Sequence, residues 1–211
     1  MKAAFGTIAL CLTLAFSAGA DTIVFKGVPT GVNDGKYYVM PYEVAIDGVT
    51  QLVACYDIYD DVNFGDVWQA NILTLGQVAA SGFFSDQPNA YERYERIGWL
   101  ESQTYSNKSQ QIGLQYAIWS VFGTAPATAD ALAYEAAADR AAAIDYAGFD
   151  LNQIRFIEQV GGVPGRNGTK QAFVFDLPED IATVSPVLEP ASAALGGVGL
   201  LLLACRRRWP G

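Results

Sequence analysis

Two side chains in this sequence are of types that react with each other. Cys55 carries a thiol, and Gln115, within the run Leu114-Gln115-Tyr116-Ala117-Ile118-Trp119, carries a carboxamide. A thiol that attacks a glutamine amide and expels ammonia leaves an internal thioester, an electrophile stored until an amine or hydroxyl arrives. The residues alone leave a second account open. Free cysteine often serves as a small buried apolar residue, and a core-side glutamine can simply hydrogen-bond a strand carbonyl. An intermolecular disulfide is a third role for an unpaired cysteine. The chain has no histidine, which excludes Ser-His-Asp and Cys-His catalysis and histidine-ligated metals.

The elements around these residues read as strands, then helices, then strands. Thr22 to Phe25, Tyr37 to Ile46 and Thr50 to Tyr56 have strand character. Asp47-Gly48 between the last two is a short hairpin signal, because both residues tolerate positive φ. This places Cys55 near the end of a hairpin strand. Trp68 to Leu75 reads as a further extended segment. Helical periodicity covers Asn89 to Ser102 and Lys108 to Phe122, and an alanine-rich helix runs from Asp130 to Ala147 behind Thr128 as cap. In the second helix Gln115 shares a face with Ile112 and Trp119, the expected core side. Ile154 to Val160 and Gln171 to Phe175 return to strand. The expected class is α+β, a β-sandwich or barrel-like part with an inserted helical block, plus a single apolar helix at the C-terminus.

Asp57, Asp60, Asp61, Asn63 and Asp66 follow Cys55 closely. The spacing does not match an EF-hand calcium loop, so a solvated turn is the expectation, with no metal and no cofactor. A hydrolase using Asp57, Asp60 and Asp61 as acid and base ranks last, since nothing in the sequence sets two carboxylates across a cleft. Trp68, Trp99 and Trp119 read as core. One of them, with Tyr37 and Tyr38, would suit a sugar-binding platform.

The two ends carry addresses. Residues 1–20 have a positive Lys2, an apolar stretch and a small-residue site at Ala18-Gly19-Ala20, the pattern of a secretory signal peptide. Residues 21–177 form the exported globular domain and 178–190 an extended tether. Residues 191–211 hold an apolar run closed by Arg206-Arg207-Arg208. Its fifteen residues from Ala191 to Cys205, at about 1.5 Å each, fall short of the ~30 Å hydrocarbon core, which suits temporary membrane retention with the arginines on the cytoplasmic side. The net charge is −9, and Lys2 with the three arginines supplies four positive charges in segments without any acid, so the middle of the chain stands at −13. That balance repels phosphate backbones, and no nucleic-acid partner is expected.

The tail residues Leu188, Glu189 and Pro190, the apolar run and Arg206, Arg207 and Arg208 together resemble a PEP-CTERM sorting signal, with Leu188 standing where the motif has its first proline. The resemblance implies recognition by an exosortase, a membrane transpeptidase-like enzyme of exopolysaccharide-producing Gram-negative bacteria. It implies export, inner-membrane retention, and then a place on the cell surface or in the extracellular matrix. The run from Leu114 to Trp119 also resembles the hydrophobic-Gln-x-x-hydrophobic-Trp helix of bacterial thioester adhesin domains, in which a strand-end cysteine precedes the helix. That likeness covers about residues 36–125, and Ala54 stands where those domains place an aromatic residue or leucine before the cysteine. It implies Cys55 and Gln115 as the thioester pair, with Trp119 and Tyr116 beside them in binding. It also implies single-turnover attachment to a surface polysaccharide or amine-bearing target, with no turnover catalysis. The alternative is a non-covalent, exopolysaccharide-associated structural or binding protein with Cys55 a buried free thiol.

Overall fold

The computed structural model describes residues 19–177. The signal peptide, the tether, the sorting residues 188–190 and 206–208 and the expected C-terminal helix therefore lie wholly or almost wholly outside the described residues. Among the described residues, no helix is long and apolar enough to cross a membrane.

Six strands close into an antiparallel barrel in the order β1-β2-β3-β6-β5-β4: β1 Asp21–Gly27, β2 Tyr42–Ile46, β3 Val49–Cys55, β4 Val67–Leu73, β5 Ile154–Gln159 and β6 Phe173–Asp176. The helical block, α1 Leu75–Ser81, α2 Ala90–Glu101, α3 Lys108–Ser120 and α4 Ala129–Ala142, is inserted between β4 and β5. The class is α+β, and the β part is a closed barrel, not a sandwich. Closure follows from β1, which pairs with β2 on one side and β4 on the other and leaves no free edge.

The β2–β3 turn is the one the sequence signals. Asp47 and Gly48 both take positive φ, and Ile46 faces Val49 across them. Asp47 also caps the start of β1, its Oδ1 accepting from the Thr22 N–H at 2.8 Å. Inside the barrel Phe173 packs on Phe25, Tyr42 and Trp68. A second aromatic cluster of Tyr56, Phe84, Tyr94, Phe122 and Phe156 joins the barrel wall to the helices.

Three elements depart from the sequence reading. The stretch from Tyr37 to Met40 is loop: it makes one isolated bridge, Asn33 to Tyr38, and strand pairing starts only at Tyr42. Helix α1 takes Leu75, a residue whose surroundings read as strand. Its start is fixed by a capping box in which Thr74 and Gln77 satisfy each other's main-chain N–H groups. Helix α4 stops at Ala142, and Asp145 and Tyr146 turn with positive φ so that Tyr146 packs on Trp99.

Helix α3 is the central element. Asn107 caps it by accepting from the Gln110 N–H, and eight of its residues, from Gln111 to Trp119 apart from Ile112, are buried. It is therefore enclosed on most sides instead of carrying a single apolar stripe. Gly113 permits this. A Cβ there would lie 2.9 Å from the Ala131 main-chain nitrogen, so the close approach of α3 to α4 needs a residue without one.

Candidate functional site

Cys55 is the last residue of β3, paired in register with Phe173 of β6, and it is fully buried. Gln115 lies on α3, sixty residues later, and is also fully buried. The fold brings the two together. The Gln115 Nε2 donates to the main-chain oxygen of Cys55 at 2.6 Å, and its Oε1 accepts from the Met40 N–H at 3.0 Å. A buried carboxamide without partners is costly, and here both ends are satisfied. The bland account of Gln115, a bond to a strand carbonyl, is thus observed, and the carbonyl belongs to Cys55 itself.

Gln111, one turn earlier on α3, completes the arrangement. Its Nε2 donates to the Met40 oxygen at 2.6 Å, so the two glutamines take the N–H and the C=O of a single residue. This is the physical reason Met40 is not in a strand: its main-chain groups are committed to helix side chains. The sequence reading passed over Gln111. The signal was its i, i+4 spacing from Gln115, which puts both amides on one face.

The thiol has two polar neighbours. Cys55 Sγ donates to the main-chain oxygen of Asp57 at 3.0 Å, and the Trp119 indole N–H donates to Sγ at 3.4 Å. Burial pushes the thiol pKa far above its ordinary value, the Asp57 charge adds to the rise, and the Trp119 bond opposes it. An unmodified Cys55 in this site is therefore favoured as the neutral thiol over the thiolate.

Trp119 also lines a cleft of about 460 Å³ together with Tyr37, Tyr38, Tyr42 and Phe64. Tyr37 meets Trp119 edge-on at 5.8 Å. Tyr116 braces the cleft from outside its lining, for its hydroxyl donates to Asp34 and pins the loop that carries Tyr37. Asp34 also accepts from the Lys36 and Tyr37 N–H groups. Partial burial pushes the Asp34 carboxyl upward, yet these bonds prevail and hold it below its usual range.

The acidic segment is only in part the solvated turn that its composition suggests: Asp61 and Asn63 are exposed, but the first two acids are not. Asp57 is fully buried and Asp60 is 7% exposed. Asp57 Oδ1 accepts from the Tyr59 N–H, and Asp60 Oδ2 accepts from the Gly165 N–H. Asp66 pairs with Lys170 at 2.7 Å and accepts from the Asn63 N–H. Burial raises the Asp57 carboxyl, with Asp60 and Glu158 adding to the effect. Asp57 and Asp60 thus brace their loop through main-chain N–H groups, while Asp61 lines the cleft walled by Trp119. Among the described residues no group of three or more acidic or cysteine side chains is placed to hold a metal ion. No protein-family model, curated protein or solved structure matches this chain.

Proposed function

We propose that this chain is an exported cell-surface or extracellular-matrix protein, sorted by an exosortase-type system through residues 178–211, whose globular domain attaches covalently to its target through a Cys55–Gln115 thioester. The observation that supports the thioester is the Gln115 carboxamide, buried and hydrogen-bonded to the Cys55 main chain. In forming the bond, Sγ adds to the Gln115 carboxamide carbon and the C–N bond breaks. Ammonia leaves with the thiol hydrogen. Negative charge passes through Oε1, where the Met40 N–H already donates, in the manner of an oxyanion hole. When an amine or hydroxyl of the target attacks, its oxygen or nitrogen bonds to the same carbon, the C–S bond breaks and its proton returns to Cys55. The Trp119 N–H is placed to stabilise the departing sulfur. This is one turnover per molecule.

Intact mass of the purified domain tests it. The thioester makes the chain lighter by one ammonia, and methylamine restores that mass with a methyl group added. An unshifted mass, with Cys55 alkylated only after unfolding, rejects the thioester. A second reading is favoured in that event: a non-covalent matrix protein in which Cys55 is a buried thiol. The satisfied Gln115 and the thiol's bond to the Asp57 oxygen support it. The sorting half rests on the tail sequence, and removal of residues 188–211 should move the exported protein from the membrane fraction to the soluble fraction.

A further inference from the structure

We propose that the cleft walled by Trp119 is a binding site for a neutral saccharide, occupied non-covalently and independently of the state of Cys55. Its rim holds two aromatic side chains that folding does not explain. Phe64 is 80% exposed and Tyr38 is 57% exposed, and both flank the same cleft of about 460 Å³. Large exposed aromatics that converge on one concavity mark a binding surface more often than scattered ones do. Tyr42 and Trp119, both buried, form its deeper wall. The Phe64 ring lies over the main chain of Gly27, where a Cβ would sit 3.6 Å from it, so the ring has a defined seat.

The polar lining fits a sugar. Asn63 and Gln171 bring amides, Asp61 a carboxylate and Lys36 an ammonium group. Aromatic faces take the C–H faces of a pyranose, while amides and a carboxylate take its hydroxyls. One positive and one negative group at the cleft, on a chain whose middle carries −13, disfavour a polyanionic sugar and an anionic membrane surface alike. A peptide added as a strand would need a free sheet edge, and the closed barrel offers none. A neutral saccharide is the occupant that the aromatic rim and the amide and carboxylate groups together suit.

Calorimetric titration of the full chain with cellohexaose and with mannohexaose, beside an oligogalacturonate, tests the site. The expected result is saturable, dialysable binding of a neutral hexaose. Tyr38→Ala and Phe64→Ala should each weaken it about fivefold to tenfold, the loss of one ring contact. Both side chains are exposed, so these variants keep their fold, which far-ultraviolet circular dichroism verifies. Absence of saturable binding by either neutral hexaose overturns the proposal. Binding of the oligogalacturonate alone, or alanine variants that bind as the parent does, also overturns it. Intact mass recorded on the same sample reports the Cys55–Gln115 bond separately, so the two proposals fail by different readouts.

Discussion

The Trp119 indole nitrogen lies 3.4 Å from the Cys55 sulfur, with its N–H directed at that atom, one helical turn beyond Gln115. The tryptophan thus joins the reactive pair to the cleft that its ring helps to wall. A donor at this place matters most when sulfur carries negative charge, because hydrogen bonds to ionised acceptors are the stronger ones.

Trp119→Phe keeps a ring against Tyr37 and Tyr116 but removes the donor. On the proposed thioester, methylamine should then cleave about tenfold more slowly, the worth of one hydrogen bond to a charged group. Mass spectrometry over time measures the rate. An unchanged rate would mean that the indole N–H has no part in the departure of sulfur.

A second prediction concerns the two glutamines and holds whether or not the thioester forms. In a Cys55→Ala background, Gln115→Leu leaves the Met40 N–H and the residue-55 main-chain oxygen buried without their side-chain partner. The expected cost is about 2–5 kcal/mol, from two unsatisfied polar groups. Gln111→Leu unpairs only the Met40 oxygen and should cost about half as much. Urea denaturation gives both values, and equal losses would contradict the assignment.

Much of this arrangement was legible in the sequence, for identifiable reasons. Asp47-Gly48 announced the hairpin because the turn demands positive φ at both residues, and that hairpin ends on Cys55. The core-side place of Gln115 followed from its register with Trp119 on α3. The burial of Asp57 and Asp60 was hidden, since a segment so rich in acids looks solvated unless the partners are known. Those partners, Tyr59 and Gly165, are main-chain N–H groups that carry no side-chain signature. The loop at Met40 was hidden for a similar reason: a strand-like composition lost to tertiary bonds from α3. Helix α1, by contrast, could have been found, because Thr74 and Gln77 stand at capping-box spacing.

A third prediction tests the enclosure of α3. Gly113→Ala adds a carbon where the Ala131 main-chain nitrogen would be 2.9 Å away, and main chain cannot swing aside as a flexible side chain does. Alanine gains about 0.8–1 kcal/mol in helix propensity over glycine, but the overpacking costs about 1–3 kcal/mol, so a net loss is expected. Because α3 carries Gln115, the same substitution should lower the fraction of chains that show the thioester mass. A stabilised protein with unaltered mass would show that α3 and α4 separate freely.

The last prediction is a pH dependence with a definite sign. Burial raises the Glu101 carboxyl from 4.5 to about 8, with the charge of Asp176 adding to the rise, and its Oε2 is buried without a hydrogen bond. Below about pH 4.5 folded and unfolded chains both hold this proton, and ionisation costs the fold nothing. Between about 4.5 and about 8 the unfolded chain loses the proton while the folded chain keeps it. Stability then falls by at most about 1.4 kcal/mol per pH unit from this group, and levels off above about 8. Glu158 and Asp57, both raised mainly by burial, act with the same sign. Asp34 and Asp66 oppose them only at lower pH, since their depressed values contribute stability that is lost as pH falls below the usual carboxylate range. The urea midpoint should therefore be higher near about pH 5 than near about pH 8, and Glu101→Gln should flatten that decline by removing one titrating group. A midpoint that rises from about pH 5 to about pH 8, or a decline that Glu101→Gln leaves untouched, would place the proton elsewhere.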